Sequence, residues 1–171
     1  MKMPKERSAG VVVLKWSKSG WLYLTLVTTM TNKEGKRKLD FPKGHVEAGE
    51  EWIEAAVRET HEEAGISEDE LHFTWGEAHK DCEKSDKVCR MFIASTSSRP
   101  EIRRNPESNR FEHIGWKWLK LDGDGEEELI HPYIRPAVEW ARSIVTSRRI
   151  DLSHVNVPRQ RSSSREGNEN S

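Results

Sequence analysis

The chain has no long apolar run. No stretch of its 171 residues approaches the roughly 20 apolar residues that span a bilayer, so a membrane partner is not expected. It has little cysteine. Cys82 and Cys89 are the only two, without CxxC spacing, which excludes a disulfide framework and a zinc site of the common kinds. It has no charge bias. Twenty-eight Lys and Arg against 29 Asp and Glu leave a formal net charge of −1, so no global field draws it to nucleic acid or an acidic membrane. No internal repeat is evident. The first ten residues, MKMPKERSAG, lack an apolar core, so a secretory signal is not expected and a cytoplasmic location is. A monomer is the expected state.

What is present is charge in quantity and tryptophan in excess. A third of the residues are charged, and mean hydropathy is −0.85. Seven tryptophans are many for this length. They are core fillers first and base-stacking platforms second. The length suits one domain, expected over residues 1–149. A polar tail rich in Arg, Ser and Asn, expected to be disordered, follows over 150–171.

Periodicity outlines the elements. Ala9 to Trp16 and Trp21 to Met30 are apolar, β-branched runs separated by Ser17-Lys18-Ser19-Gly20, a hairpin pattern. Thr31 to Lys38 reads as an exposed loop, and Leu39 to Phe41 as a short strand entering the Pro42-Lys43-Gly44 turn. A helix is expected from Glu50 or Glu51 to Glu63, with Trp52, Ala55 and Ala56 towards a sheet. Leu71 to Trp75 and Val88 to Ser95 read as strands, with a polar connection from Glu77 to Lys87. Ser97 to Arg110 reads as a loop, Glu112 to Leu121 as a strand and Asp122 to Glu128 as an acidic turn. A second helix is expected over His131 to Ser147, with Ile134, Val138, Ala141 and Val145 on one side. Interleaved strands and helices imply an α/β or α+β sandwich.

One segment defies stability. Glu59, Glu62 and Glu63 fall within five residues at a helix C-terminus, just before Gly65. Spacings of three and four put carboxylates on one helix face, where like charges repel. The last turn of a helix also disfavours negative charge. A solvated acidic face is the ordinary reading of such a cluster. A bound hard cation with oxygen ligands is the reading that compensates both penalties.

The surrounding residues favour the second. The run from Gly44 to Ile66, GHVEAGEEWIEAAVRETHEEAGI, resembles the Nudix box, G-x5-E-x7-R-E-U-x-E-E-x-G-U with U aliphatic. Gly44, Glu50, Arg58, Glu59, Glu62, Glu63, Gly65 and Ile66 match at the required spacings, and Thr60 departs from it. The resemblance covers about Ser8 to Ser147. It implies a mixed β-sheet between helices, with the box as a loop–helix–loop, and metal-dependent pyrophosphate hydrolysis using Mg²⁺ or Mn²⁺. By that resemblance Glu59, Glu62 and Glu63 are metal ligands, with a backbone carbonyl of Lys43 or Gly44. Arg58 would orient Glu59, and Glu50 would be a structural partner at the helix start. A further carboxylate outside the box is a metal ligand or general base in this family. Among Glu101, Glu107, Glu112 and the acidic turn, Glu112 is chosen because it opens a strand in Glu112-His113-x-x-Trp116-x-Trp118-Leu119. The catalytic set expected is therefore Arg58, Glu62, Glu63 and Glu112.

Phe41 to Glu50 carries a PKGH-x-E-x-GE run, and Arg58 to Ile66 reads RET-x-EEAGI. Both resemble the diadenosine tetraphosphate (Ap4A) hydrolase branch, Thr60 included. The resemblance implies a nucleotide polyphosphate substrate, with Lys43 as a point charge on its phosphates and His45 as a hydrogen-bonding partner. Trp75, Trp116, Tyr133 and Trp140 are candidates to hold adenine, though each residue type is more often core. Arg90 stands where that branch leads one to expect a tyrosine nearby. The alternative activities are trimming of RNA 5′ ends, the one reading with a nucleic-acid partner, and cleavage of diphosphoinositol phosphates. Lys33 to Lys38, Arg99, Arg103 and Arg104 would suit such anionic substrates, or are ordinary surface charge.

Overall fold

A computed structural model describes residues 4–153 apart from Asp124. The expected disordered tail lies almost wholly outside them. The chain divides into two compact units, Met1–Ala141 and Arg142–Ser171. The first holds the whole sheet, the first helix and the start of the second.

Strands β1 (Glu6–Ser17) and β2 (Gly20–Thr31) form the expected hairpin, closing with Trp16 opposite Trp21. β3 (Arg37–Asp40) and β4 (Lys43–His45) follow, then α1 (Trp52–Ala64). β5 (His79–Lys84), β6 (Lys87–Ser95), β7 (His113–Lys120) and α2 (Pro136–Ser153) complete the order. The path through the sheet is β3-β2-β1-β6-β5, with β4 pairing β1 and β7 pairing β2. β1 and β6 run parallel and the remaining pairs antiparallel, so the sheet is mixed.

β1 is a central strand, and its unbroken apolar run fits burial on both faces. Ala9, Val11 and Val13 join Leu24, Leu26 and Phe92 under Ala55, Ala56 and Ala64 of α1. Val12, Leu14, Tyr23, Met91 and Ile93 are buried as well, as are Ile134, Ala137, Val138 and Ala141 at the start of α2. This is the expected mixed sheet between helices. Alanines on α1 let helix and sheet approach closely. Thr60, buried among them, satisfies its hydroxyl by donating to the Ala56 carbonyl at 2.8 Å.

Three expected elements differ. Leu71 to Trp75 is not a strand. A 3₁₀ turn at Glu68–Glu70 precedes it, only His72 bridges to Ser95, and the chain turns again at Gly76. Leu71 and Trp75 are buried four residues apart, which fits successive turns rather than alternation. The polar Glu77 to Lys87 connection contains β5. An edge strand carries charged side chains to deter further pairing, and only Cys82 of β5 is buried. The second helix begins at Pro136 rather than His131. Proline disfavours helical backbone in the residue before it, so the chain turns from His131 to Arg135 first. Among the described residues no helix is long and apolar enough to cross a membrane.

Candidate active site

The site begins where β4 meets β1. Gly10 pairs with Lys43, Ala9 with Gly44 and Ser8 with His45. That pairing leaves no room for a side chain on Gly10, whose Cβ would lie 2.3 Å from the Pro42 carbonyl oxygen. Gly44 is equally constrained. A Cβ there would stand 2.2 Å from the Glu59 carboxyl carbon. The missing side chain admits the carboxylate against the β4 backbone.

α1 is held at both ends. Glu51 and Glu54 form a reciprocal capping box, with the Glu51 amide donating to Glu54 Oε1 at 2.9 Å. Gly65 ends the helix in the left-handed region at φ 71°, its amide donating to the His61 carbonyl at 3.0 Å. Between these ends the helix turns Arg58, Glu59, Glu62 and Glu63 towards β4.

Arg58 is the hub. Its Nε donates to Glu50 Oε2 at 2.7 Å and Nη2 to Glu50 Oε1 at 3.1 Å. Nη2 also donates to the His45 carbonyl at 2.9 Å. Nη1 donates to Glu59 Oε2 at 3.0 Å and to Glu62 Oε1 at 3.3 Å. The expected Arg58–Glu59 bond is therefore present, and Glu50 anchors the guanidinium through a two-point contact. These bonds hold the Glu50 carboxyl below the usual range and raise Arg58 above its own.

Glu63 lies deeper. Its Oε1 accepts the Lys43 amide at 3.1 Å. Burial pushes its pKa up to about 9, with Glu59 and Asp40 adding repulsion against the Lys43 amide bond. Burial also raises Glu59, with Glu62 and Glu112 opposing Arg58. Glu112 lies beside them, just before β7, where Asn105 Nδ2 donates to Oε2 at 2.6 Å. The strand itself opens at His113. His113 is buried, and burial holds its imidazole below the usual value.

All these carboxylates line one polar cavity of about 420 Å³, together with Lys43, Gly44 and His45. The eight expected site residues are thus gathered in one place. Lys43 is not free there. Its ammonium pairs with Asp40 Oδ2 at 3.1 Å. Burial works against that charge, but the surrounding anions, Asp40 foremost, outweigh it and raise its pKa. His45 is exposed, its Nδ1 3.9 Å from Glu6 Oε2.

The structure adds Asp40, Asn105, His113 and Lys87 to the lining. Asp40 stood directly before the Phe41-Pro42-Lys43-Gly44 run and could have been found as its flanking acid. Asn105 and Lys87 carry no local signal and reach the cavity only through the fold. No Trp, Tyr or Phe among the described residues lines the cavity. Trp75 is buried against Trp21, and Tyr133 lies beneath Lys84 and Lys87 at 4.8 and 5.7 Å. Arg90 stacks on Trp52 at 4.4 Å and is gripped by Asp81 through bonds of 2.8 and 3.0 Å.

The donor set suits a hard divalent cation: carboxylate oxygens, two of them with pKa values raised by burial and by their acidic neighbours. Among the described residues no three acidic, histidine or cysteine groups already stand as a metal cluster. Arg58 holds Glu59 and Glu62, and the Lys43 amide holds Glu63.

A mixed sheet between helices, with a carboxylate-bearing helix set against a glycine turn, defines the class. The NUDIX domain matches residues 4–141, and the chain belongs to that family. It is 32% identical to an asymmetrical bis(5′-nucleosyl)-tetraphosphatase of Caenorhabditis elegans over 89 residues, 47% of this chain and 57% of that protein. It is 27% identical to an RNA pyrophosphohydrolase of Bartonella quintana over 136 residues, 70% of this chain and 79% of that protein. The chain thus spans little more than half the length of the tetraphosphatase. In fold it is similar to the C. elegans Ap4A hydrolase binary complex, with a TM-score of 0.56 and 22% identity over 86% of this chain and 99% of that one. A Nudix hydrolase of Listeria monocytogenes gives 0.62 and 16%, over 85% and 97%.

Proposed function

We propose that this protein is a metal-dependent pyrophosphohydrolase of nucleoside polyphosphates, and that it splits Ap4A asymmetrically into ATP and AMP. The observation that carries the reading is the convergence of Glu59, Glu62, Glu63 and Glu112 with Lys43 and His45 on one cavity. Anionic ligands to a cation and cationic contacts to a phosphate chain share that space. The PKGH run, Thr60 within the box and the tetraphosphatase relatives support Ap4A as the substrate.

Each residue then has a task. Glu59, Glu62 and Glu63 would hold Mg²⁺ or Mn²⁺, with the Gly44 backbone alongside. Such a cation would supply charge neutralisation on the phosphate oxygens and activation of a water. Arg58 fixes the carboxylate rotamers through Glu59 and Glu62 and is itself fixed by Glu50. Lys43, locked by Asp40, presents a permanent positive charge to the polyphosphate. His45 reaches it from the exposed rim. Glu112, exposed in the cavity lining and bonded to Asn105, would accept a proton from the attacking water.

RNA 5′-pyrophosphohydrolysis is the second reading. The RNA pyrophosphohydrolase similarity extends over 136 residues, against 89 for the tetraphosphatase. Purified protein with Mg²⁺ is expected to release ATP and AMP from Ap4A and to leave 5′-triphosphate RNA intact. Chromatography of the two reactions decides the matter, and the reverse pattern sinks the Ap4A reading. Glu63→Gln is expected to lower turnover by at least a hundredfold while the circular dichroism spectrum is unchanged. Retained activity would refute its role.

A further inference from the structure

The loop that delivers Glu112 carries a second set of features that pyrophosphate cleavage does not use. Asn105 to Phe111 is a folded excursion. The Asn105 amide donates to the Arg110 carbonyl at 2.7 Å, the Asn109 amide to the Asn105 carbonyl at 2.7 Å, and Arg104 bridges to Phe111. Arg99, Arg103, Arg104 and Arg110 stand exposed on this segment. Among the described residues none of the four is in an ion pair.

Two of them sit over aromatic rings. Arg99 covers Trp116 at 4.9 Å, and Arg104 covers Phe111 at 4.7 Å. Phe111 is 49% exposed and Ile114 52%. Arg99, Glu101, Ile102, Ile114 and Trp116 are among the residues that line a shallow groove of about 510 Å³. Ile114 and Trp116 of β7 both face this groove. Arg103 joins Glu112 at the edge of the carboxylate cavity.

Arg103 contacts His61 Nε2 at 3.0 Å and Arg104 donates to the Asn109 carbonyl at 3.3 Å, so neither is neutralised by a carboxylate. Apolar rings interleaved with guanidiniums that no carboxylate neutralises are the chemistry of single-stranded nucleic acid. Arginine neutralises phosphates, and bases stack on aromatic faces or on guanidinium planes. An acidic peptide would use the charges but leave the aromatic faces beneath Arg99 and Arg104 without a purpose. We propose that residues 99–116 form a binding surface for single-stranded nucleic acid. A base enters the Arg99–Trp116 groove, and phosphates follow Arg103, Arg104 and Arg110. This goes beyond the hydrolytic reading and holds whichever nucleotide the carboxylate cavity cleaves.

The test is fluorescence anisotropy with a 12-nucleotide, 5′-hydroxyl RNA labelled at its 3′ end. That strand has no pyrophosphate, so binding is read apart from hydrolysis. The wild-type protein is expected to bind it with an affinity that falls with salt. The triple variant Arg99→Gln, Arg104→Gln, Arg110→Gln should bind at least tenfold more weakly, with a log–log salt slope shallower by about 2. An abasic strand of equal length should bind about tenfold more weakly than the RNA, because stacking is lost. No binding by the wild type, or equal binding by the triple variant, overturns the proposal. Equal binding of the abasic strand overturns it too, since only a surface for polyanions would remain. Ap4A cleavage, measured on the same preparations, reports separately on the proposed function.

Discussion

Glu63 shows what a cation-binding carboxylate costs its own fold. It is buried beside Glu59 and Asp40, and the Lys43 amide is its only hydrogen-bond donor among the described residues. In the metal-free protein its pKa stands at about 9, against the usual 4.5. The sign of the linkage follows. Below pH 4.5 the carboxyl is neutral in folded and unfolded chains alike, and there is no penalty. Between 4.5 and 9 the folded chain keeps a proton that the unfolded chain has lost, so stability falls as pH rises through that window. From this group alone the slope is at most about 1.4 kcal/mol per pH unit. Metal-free protein should therefore lose urea resistance steadily from pH 5 to pH 9, and Glu63→Gln should flatten the decline. An equally steep decline in Glu63→Gln would show that another group carries it.

At the scale of elements, the short pairing of β4 with β1 decides whether the site exists. β4 is only three residues long, and it presents the Lys43 amide to Glu63 and the Gly44 backbone to Glu59. Its partner Gly10 sits 2.3 Å, measured from a notional Cβ, from the Pro42 carbonyl and 2.5 Å from the Lys43 Cβ. Backbone cannot yield as a flexible side chain does. Gly10→Ala is expected to destabilise by about 1–3 kcal/mol, as overpacking does, and to reduce kcat more than stability alone explains. Unchanged kcat in the folded fraction would mean that β4 tolerates displacement. The box was legible in sequence because its spacing is local: every member of Gly44 to Ile66 is held by one turn and one helix. Glu112 was legible only as an acid opening a strand, and its partner Asn105 was not, since six residues of loop separate them. β5 was missed because an edge strand is selected for charge, which reads as loop. The first turn of α2 was misplaced because two prolines, Pro132 and Pro136, each offer a helix start, and the second prevails.

At the scale of the whole molecule, the acidic helix C-terminus, the glycine turn and the sheet make a frame whose strain a cation would relieve. Mutually repelling carboxylates lower the stability of the metal-free fold, and a ligand that binds only the folded state returns it by mass action. At a Mg²⁺ concentration one hundred times its dissociation constant the gain is about 2.7 kcal/mol. For a domain of this size that corresponds to a rise in Tm of roughly 5–10 °C. Glu63→Gln separates this account from general salt effects, because it acts on the two states in opposite directions. At pH 8 the variant should melt higher than the wild type without metal, since the folded chain no longer has to hold a proton on Glu63 that the unfolded chain has lost. It should also lose most of the Mg²⁺-induced rise, since a ligand is gone. Differential scanning calorimetry with and without Mg²⁺, at constant ionic strength, reads both effects. A variant that melts lower than the wild type without metal, or that keeps the full response to Mg²⁺, would sever the link between the carboxylate cluster and the cation.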